Sequence, residues 1–201
     1  LRCVKNHFND AVITNIDTLY GDFGSGDTRR YQPLPRNFSD LSRIFDEYLE
    51  DYKVEKNLPS LNIVFFEDAI QHLSRLCRTL RQSRGNALLI GSAGSGRRTL
   101  TRLASFIQGY ETVEIEVNKH FKYQLFLDNI RDILLKAGCE GKPIVFLMSD
   151  AQIVDERILE VIHNILNSGE VPNLLQDEDF ENYQPCCGPS GESSGEEADK
   201  K

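Results

Sequence analysis

No CxxC pair, no clustered histidines and no apolar run of membrane length occur in the 201 residues. Each absence removes a class of protein. The five cysteines, Cys3, Cys77, Cys139, Cys186 and Cys187, are an odd number at irregular spacing. That argues against a disulfide framework or a zinc site and favours a reducing compartment. Adjacent Cys186 and Cys187 read as two thiols in a flexible tail, with a palmitoylation or metal site as the alternative. His7, His72, His120 and His163 lie far apart, without ligand spacing, and read as surface or packing residues. No stretch approaches the roughly 18 apolar residues of a membrane span, so a membrane is not an expected partner. The opening "LRCVKNHFND" has neither an apolar signal core nor an initiator methionine, which suggests a fragment. A basic excess is missing too. The formal charge is −8, and residues 170–201 hold nine acidic and two basic side chains, a net of −7. The rest is close to neutral, with none of the global positive field of a nucleic-acid binder. Arg75, Arg78, Arg81 and Arg84 recur at helical spacing and read as a solvated face. Contact with a neighbouring module or a nucleic acid is the alternative, but no interleaved aromatics offer stacking for bases.

What is present is an alternation of two patterns. Residues 21–37, rich in Gly, Pro and polar side chains, read as a connector. Ser39 is a candidate cap for a helix with Leu41, Ile44, Phe45 and Leu49 on one face. A second helix from Phe66 carries Ile70, Leu73, Leu76, Cys77 and Leu80. "NALLIG" is a short apolar run ending in glycine, which predicts a buried strand. "RRTLTRLASFI" returns to helical spacing through Leu100, Leu103 and Ile107. "ETVEIEV" alternates, with Val113, Ile115 and Val117 on one side. "YQLFLDNIRDILLKAG" predicts an amphipathic helix closed by Gly138, and "PIVFLMS" a second buried strand. "VDERILEVIHNILNSG" predicts a helix capped near Asp155 and stopped by Gly169. Strands alternating with helices predict an α/β fold, a mainly parallel sheet covered on both faces. The Gly, Ser, Pro and Glu tail has no periodicity and reads as disordered.

The stretch "GSAGSGRRTL" sits between a predicted strand and a predicted helix. Gly91 and Gly96 have the spacing of G-x-x-x-x-G, and Gly94 eases the turn. Glycines let backbone amides wrap inward toward phosphates, and a helix N-terminus directly after adds its dipole. Residues Gly91, Ser92, Ala93, Gly94, Ser95, Gly96, Arg97, Arg98 and Thr99 are therefore the candidate phosphate-binding set. Two positions depart from the pattern. Arg97 stands where a lysine reaches the terminal phosphates, and its planar fork fits that channel poorly. Arg98 stands where the magnesium-binding hydroxyl belongs, and Thr99 follows one residue late. A plain glycine-rich turn with a basic pair is the alternative. The second element of a nucleotide site is an apolar strand ending in acidic residues, one on the magnesium side and one acting on the attacking water. "IVFLMSDAQ" supplies Asp150 alone, between Ser149 and Ala151. Asp150 takes either the magnesium role or the catalytic role, and in both cases hydrolysis is expected to be slow.

Together, "NIVFFEDAIQHLSRL", "RGNALLIGSAGSGRRTLTRLASFI", "KPIVFLMSDAQIVDERILEVIHNILNSGEVPNL" and the upstream "YGDF" resemble the fourth AAA+ module of dynein heavy chains, the axonemal branch in particular. The resemblance covers about residues 10–178. It implies an AAA+ P-loop NTPase fold, a three-layer parallel sheet with flanking helices, here incomplete. Residues 1–58 would be the end of the preceding module, with its connector and a remnant of its helical lid. Residues 59–180 would be the large subdomain, and residues 181–201 a disordered acidic tail. In the family pattern the loop lysine is followed by a polar residue before the hydroxyl, which suits Thr99. Arg97 remains a departure, and Ser149-Asp150 echoes a family Thr-Asp. The implied ligands are ATP or ADP with magnesium at Thr99 and Asp150, bound weakly or for regulation. The implied partners are neighbouring modules of the same chain, with microtubules and dynein subunits reached only through the full-length protein. The implied location is the cytoplasm, at the cytoskeleton of the ciliary axoneme. Two rival readings stay open: an interaction module that binds no nucleotide, and an independent small P-loop kinase or ATPase. The missing second carboxylate and lid count against the latter. Without later strands, the apolar faces of "ALLI" and "IVFLM" are expected to stay partly exposed.

Overall fold

Asn37 starts the first long helix. Its backbone is extended and its side chain accepts the Ser39 N–H, so the cap stands two residues before the expected Ser39. The computed structural model describes residues 20–22, 31–35, 37–55, 58–117, 119, 121–172 and 174–175. Cys3, His7, His120, Cys186, Cys187 and the tail 181–201 lie outside the described residues, as does most of the connector. The chain divides into two compact units, Leu1–Thr112 and Val113–Lys201.

In the first unit, helix α1 (Phe38–Val54) buries Leu41, Phe45, Leu49 and Tyr52 along one stripe. Helix α2 (Glu67–Arg81) buries Ala69, Ile70, Leu73, Leu76 and Cys77. Glu67 and Asp68 lie in its first turn and Arg78 and Arg81 in its last, the arrangement the helix dipole favours. Helix α3 (Arg97–Gln108) adds Leu103 and Ala104. These side chains form one core, with Phe65 packed on Phe45 and Tyr52 edge-on to Phe106 at 5.1 Å. Each large apolar side chain so buried contributes about 1.5–3 kcal/mol. The expected boundary near residue 58 thus lies inside a unit where α1 shares its core with α2 and α3. A two-residue hairpin, β1 (Tyr20–Gly21) antiparallel to β2 (Gln32–Pro33), rests against α2. Asp22 fastens it, accepting from Arg81 at the end of α2 and from Gln108 at the end of α3. Arg81 also covers the Tyr31 ring, 5.1 Å from its centroid. One member of the arginine stripe is therefore structural, while Arg75, Arg78 and Arg84 are exposed.

Strand β3 (Glu111–Val113) straddles the division, and in the second unit the Val113 carbonyl accepts the Leu147 N–H just past β4 (Ile144–Phe146). Between them runs helix α4 (Tyr123–Glu140). It passes through Gly138 and ends at Gly141, which takes the left-handed conformation (φ 62°) that terminates helices. Gly138 was the expected stop; a helical glycine ends nothing unless its φ turns positive. Helix α5 (Glu156–Asn167) is capped by Asp155, as expected, and Gly169 turns the chain away at φ 79°. The core joins Ile115, Phe121, Phe126, Ile130, Ile158, Val161 and Leu174. Arg131 Nε donates to the Leu174 carbonyl, tying the chain after α5 to α4.

The expected parallel sheet is the main difference. The described residues form two two-stranded sheets, β1–β2 and β3–β4. Residues 85–92 form no strand. Leu89 packs on the first core, but Leu88 and Ile90 are each 86 % exposed. An extended segment points alternate side chains to opposite faces, and only one face of this one meets the helices. "IVF" fares better, with Val145 buried and its neighbours half-buried. No helix among the described residues is long and apolar enough to cross a membrane.

Candidate functional site

The loop begins where α2 ends. Gly85 donates to the Gln82 carbonyl in a tight turn, and Arg84 takes a positive φ of 54°. A Cβ on Gly85 would stand 1.8 Å from the Thr79 carbonyl oxygen, so only glycine fits there. The chain then runs extended to Gly91.

From Gly91 to Gly96 it folds back on itself, with Ser95 N–H donating to the Ser92 carbonyl at 3.3 Å. Gly94 (φ 80°) and Gly96 (φ 75°) both take left-handed backbone, and a Cβ on either would meet nothing within 4 Å. Their requirement is conformational, not steric. Gly91 differs: a Cβ there would stand 3.0 Å from Ser95 Oγ and 3.5 Å from Arg97 Cδ. Gly96 is the N-cap of α3 and supplies no side-chain acceptor, and the first turn holds no acidic residue. The first amides of any helix lack intrahelical acceptors. Here they add to Arg97 and Arg98 to make a positive end, suited to an anion.

Arg97 is half-buried, and its Nη2 donates to the Ser92 carbonyl at 3.1 Å. Its guanidinium therefore bends back onto the loop it belongs to. Arg98 is exposed. Thr99 sits half-buried in the first turn, and its hydroxyl makes no hydrogen bond among the described residues. Thr101 and Ser105 instead turn their hydroxyls onto the carbonyls of Arg97 and Thr101. The sequence-predicted loop residues are thus brought together in the first unit, and the hydroxyls of Ser92, Ser95 and Thr99 make no hydrogen bond among the described residues.

Asp150 belongs to the second unit. It opens a three-residue 3₁₀ turn (Asp150–Gln152) shortly after β4. It is exposed, and its carboxylate has no partner among the described residues. Sequence reading missed Gln152, which is 2 % exposed. Its Oε1 accepts the Ser149 N–H at 2.6 Å and its Nε2 donates to the Ile115 carbonyl at 2.5 Å. No spacing signal points to it, because one partner lies 37 residues away.

The Thr99 hydroxyl belongs to the first unit and the Asp150 carboxylate to the second, and each is an oxygen donor without a hydrogen-bond partner among the described residues. Ser149 and Ala151 flank Asp150 in the sequence, without a second carboxylate. Among the described residues no group of three or more His, Cys, Asp and Glu side chains is suited to a metal ion, and His72 and His163 are both exposed. An open hollow of about 480 Å³ is lined by Tyr20, Tyr31, Arg78, Arg81 and Gln82. It contains none of the loop residues, and the tie between Asp22 and Arg81 lies beside it.

Comparison with known proteins shows the family. Residues 61–198 match the family model of the P-loop containing dynein motor region D4. The chain is 40% identical to human dynein axonemal heavy chain 6 over 199 residues, 95% of this chain and 5% of that protein. It is 48% identical to human dynein axonemal heavy chain 1 over 158 residues, 78% of this chain and 4% of that protein. Against the Chlamydomonas reinhardtii dynein-1-beta heavy chain of the flagellar inner arm I1 complex it is 39% identical over 160 residues, 80% of this chain and 4% of that one. The chain spans about one twentieth of the length of these relatives. A helix-opening glycine loop, the acidic turn after an apolar strand and a family match over two thirds of its length agree: the chain belongs to the family of the P-loop-containing dynein motor region D4.

Proposed function

We propose that this chain is a piece of an axonemal-type dynein motor ring, and that residues 91–99 bind ATP or ADP with magnesium for regulation rather than rapid turnover. Residues 1–58 are the end of the third AAA+ module, residues 59–180 the large α/β subdomain of the fourth, and residues 181–201 an acidic tail. The observation that carries this reading is the loop itself: two left-handed glycines delivering the chain into an uncapped, positively charged helix start. Backbone amides of residues 92–97 hold the phosphates, and Arg98 adds charge. Arg97 leaves the Ser92 carbonyl to meet the phosphates. Thr99 of the first unit and Asp150 of the second are the residues that would serve magnesium, which would supply neutralisation of phosphate charge. With Ala151 and Ser149 flanking a single carboxylate, no second acid prepares water for attack, so turnover is slow.

The partners are the neighbouring modules of the same heavy chain. Microtubules and other dynein subunits are reached through the full-length protein, in the ciliary axoneme of the cytoskeleton. A second reading, a ring module that transmits motion through packing and binds no nucleotide, draws on the bond from Arg97 to Ser92, which closes the loop on itself.

Competition among AMP, ADP and ATP, each with magnesium, separates the two. A phosphate loop holds the β-phosphate, so ADP and ATP bind at least about tenfold more tightly than AMP, a difference of about 1.4 kcal/mol. Arg97→Lys tightens both by a similar factor, because a compact ammonium enters the lysine channel more readily than a planar fork. Equal affinity for all three, or none for any with both proteins folded, favours the packing module.

A further inference from the structure

The open hollow of the first unit takes no part in the loop chemistry. Its walls come from Tyr20 of the hairpin, Tyr31 just before β2, Arg78 and Arg81 in the last turn of α2, and Gln82 after it. We infer that this hollow is a docking site for an acidic segment of a partner protein, which brings a carboxylate to Arg78 and an aromatic or apolar side chain to the two tyrosines. The inference is independent of the nucleotide reading.

Charge is the first argument. Asp22 is the acid at this wall, and it is already occupied: its side chain is 5 % exposed and accepts from both Arg81 and Gln108. Arg78 is exposed and makes no hydrogen bond or ion pair among the described residues. Two cations, Arg81 and Arg78, and one anion, Asp22, act on the Tyr31 hydroxyl, so the field there is positive. A guanidinium without an acid offers a planar fork that matches a carboxylate. The rings are the second argument. Tyr20 is 50 % and Tyr31 43 % exposed. Tyrosine beside arginine is the pairing that anchors protein interfaces. Arg81, tied to Asp22 and lying over the Tyr31 ring, sets that wall before a partner arrives, which lowers the cost of ordering it. Partial burial holds the Tyr31 phenol above its ordinary pKa, so it stays a neutral donor. The volume of about 480 Å³ suits a few side chains rather than a lone ion. A nucleic acid would need many phosphate contacts, and the hollow offers one arginine without an acid.

The probe is a fluorescent random copolymer of glutamate and tyrosine, titrated with the 201-residue chain and followed by anisotropy. The native chain should bind it, and polyglutamate more weakly. Arg78→Glu should weaken copolymer binding at least about tenfold, as loss of an interface anchor does. Arg78→Gln and Tyr20→Ser should each weaken it several-fold. Arg75→Glu makes the same charge change on α2 outside the hollow, and should stay within about twofold of native, as neutral contacts do. The substituted side chains are exposed, so circular dichroism should show every variant folded. No binding by the native chain would overturn the proposal, as would equal losses for Arg75→Glu and Arg78→Glu, which mean diffuse charge. Tighter, Arg78-dependent binding of an oligothymidylate would overturn it in favour of a nucleic-acid surface.

Discussion

At the scale of single residues, the glycines around the loop do different jobs. Gly94 and Gly96 supply backbone conformation in open space, whereas Gly85 is squeezed against the Thr79 carbonyl. Gly85→Ala should therefore destabilise by about 1–3 kcal/mol through overpacking. Gly94→Ala should cost about 1 kcal/mol through left-handed strain alone. Urea midpoints of the two variants check the order, and a larger loss for Gly94→Ala would contradict the local geometry. The loop glycines were legible in the sequence because a phosphate loop is a contiguous motif. Gly85 was not, since its reason is a carbonyl six residues back, brought close only when α2 ends in a tight turn. Cys77 shows the same limit. Helical spacing placed it on the buried face of α2, but only the packed core explains why burial pushes its thiol up to about 12. A thiol so placed stays unreactive in the folded protein.

At the scale of elements, helices were read well, because a buried stripe repeats with the helix period over many residues. Their ends were read less well. Asn37 rather than Ser39 and Gly141 rather than Gly138 were settled by backbone conformation, which neighbouring candidates of similar type do not reveal. Asp155 was read correctly, and its surroundings give a pH prediction. Arg157 donates to it through side chain and backbone, and holds its carboxyl down at about 2. The same guanidinium lies over the Tyr123 ring at 4.3 Å, joining the starts of α4 and α5. An acid whose folded pKa lies below its usual value of about 3.9 stabilises fully above that value and loses the contribution as pH falls through the lower one. The melting-temperature gap between the native protein and Asp155→Ala should be constant above about pH 5. It should close as pH falls from about 4 toward 2. A gap that stayed constant through that range would show that the charged pair contributes nothing.

At the scale of the whole molecule, the sheet was the least legible feature. Apolar runs such as "ALLI" announce an extended, buried segment, but a sheet is a set of pairings between distant residues, and no local signal states which are made. Leu88 and Ile90 stand exposed on the face of the 87–90 segment away from the first core. Such a face invites self-association. In sedimentation experiments the 201-residue chain should associate with rising concentration. The double variant Leu88→Ser/Ile90→Ser should stay monomeric with its melting temperature almost unchanged, since little buried area is lost. A variant that melts far lower would mean those side chains are buried after all.

The candidate site divides along the same line. Its loop could be read as a motif and its lone acid as a strand-end signal, while the amide that anchors the acid's turn became visible only in three dimensions. The central claim concerns the loop, and calorimetric titration of magnesium-ADP into the 201-residue chain tests it most directly, with Gly96→Ala alongside and circular dichroism confirming that both are folded. The account predicts saturable one-to-one binding by the native chain, lost in Gly96→Ala because alanine resists the left-handed turn that delivers the amides of α3. Absence of heat from the folded native chain, or equal binding by both proteins, would contradict it.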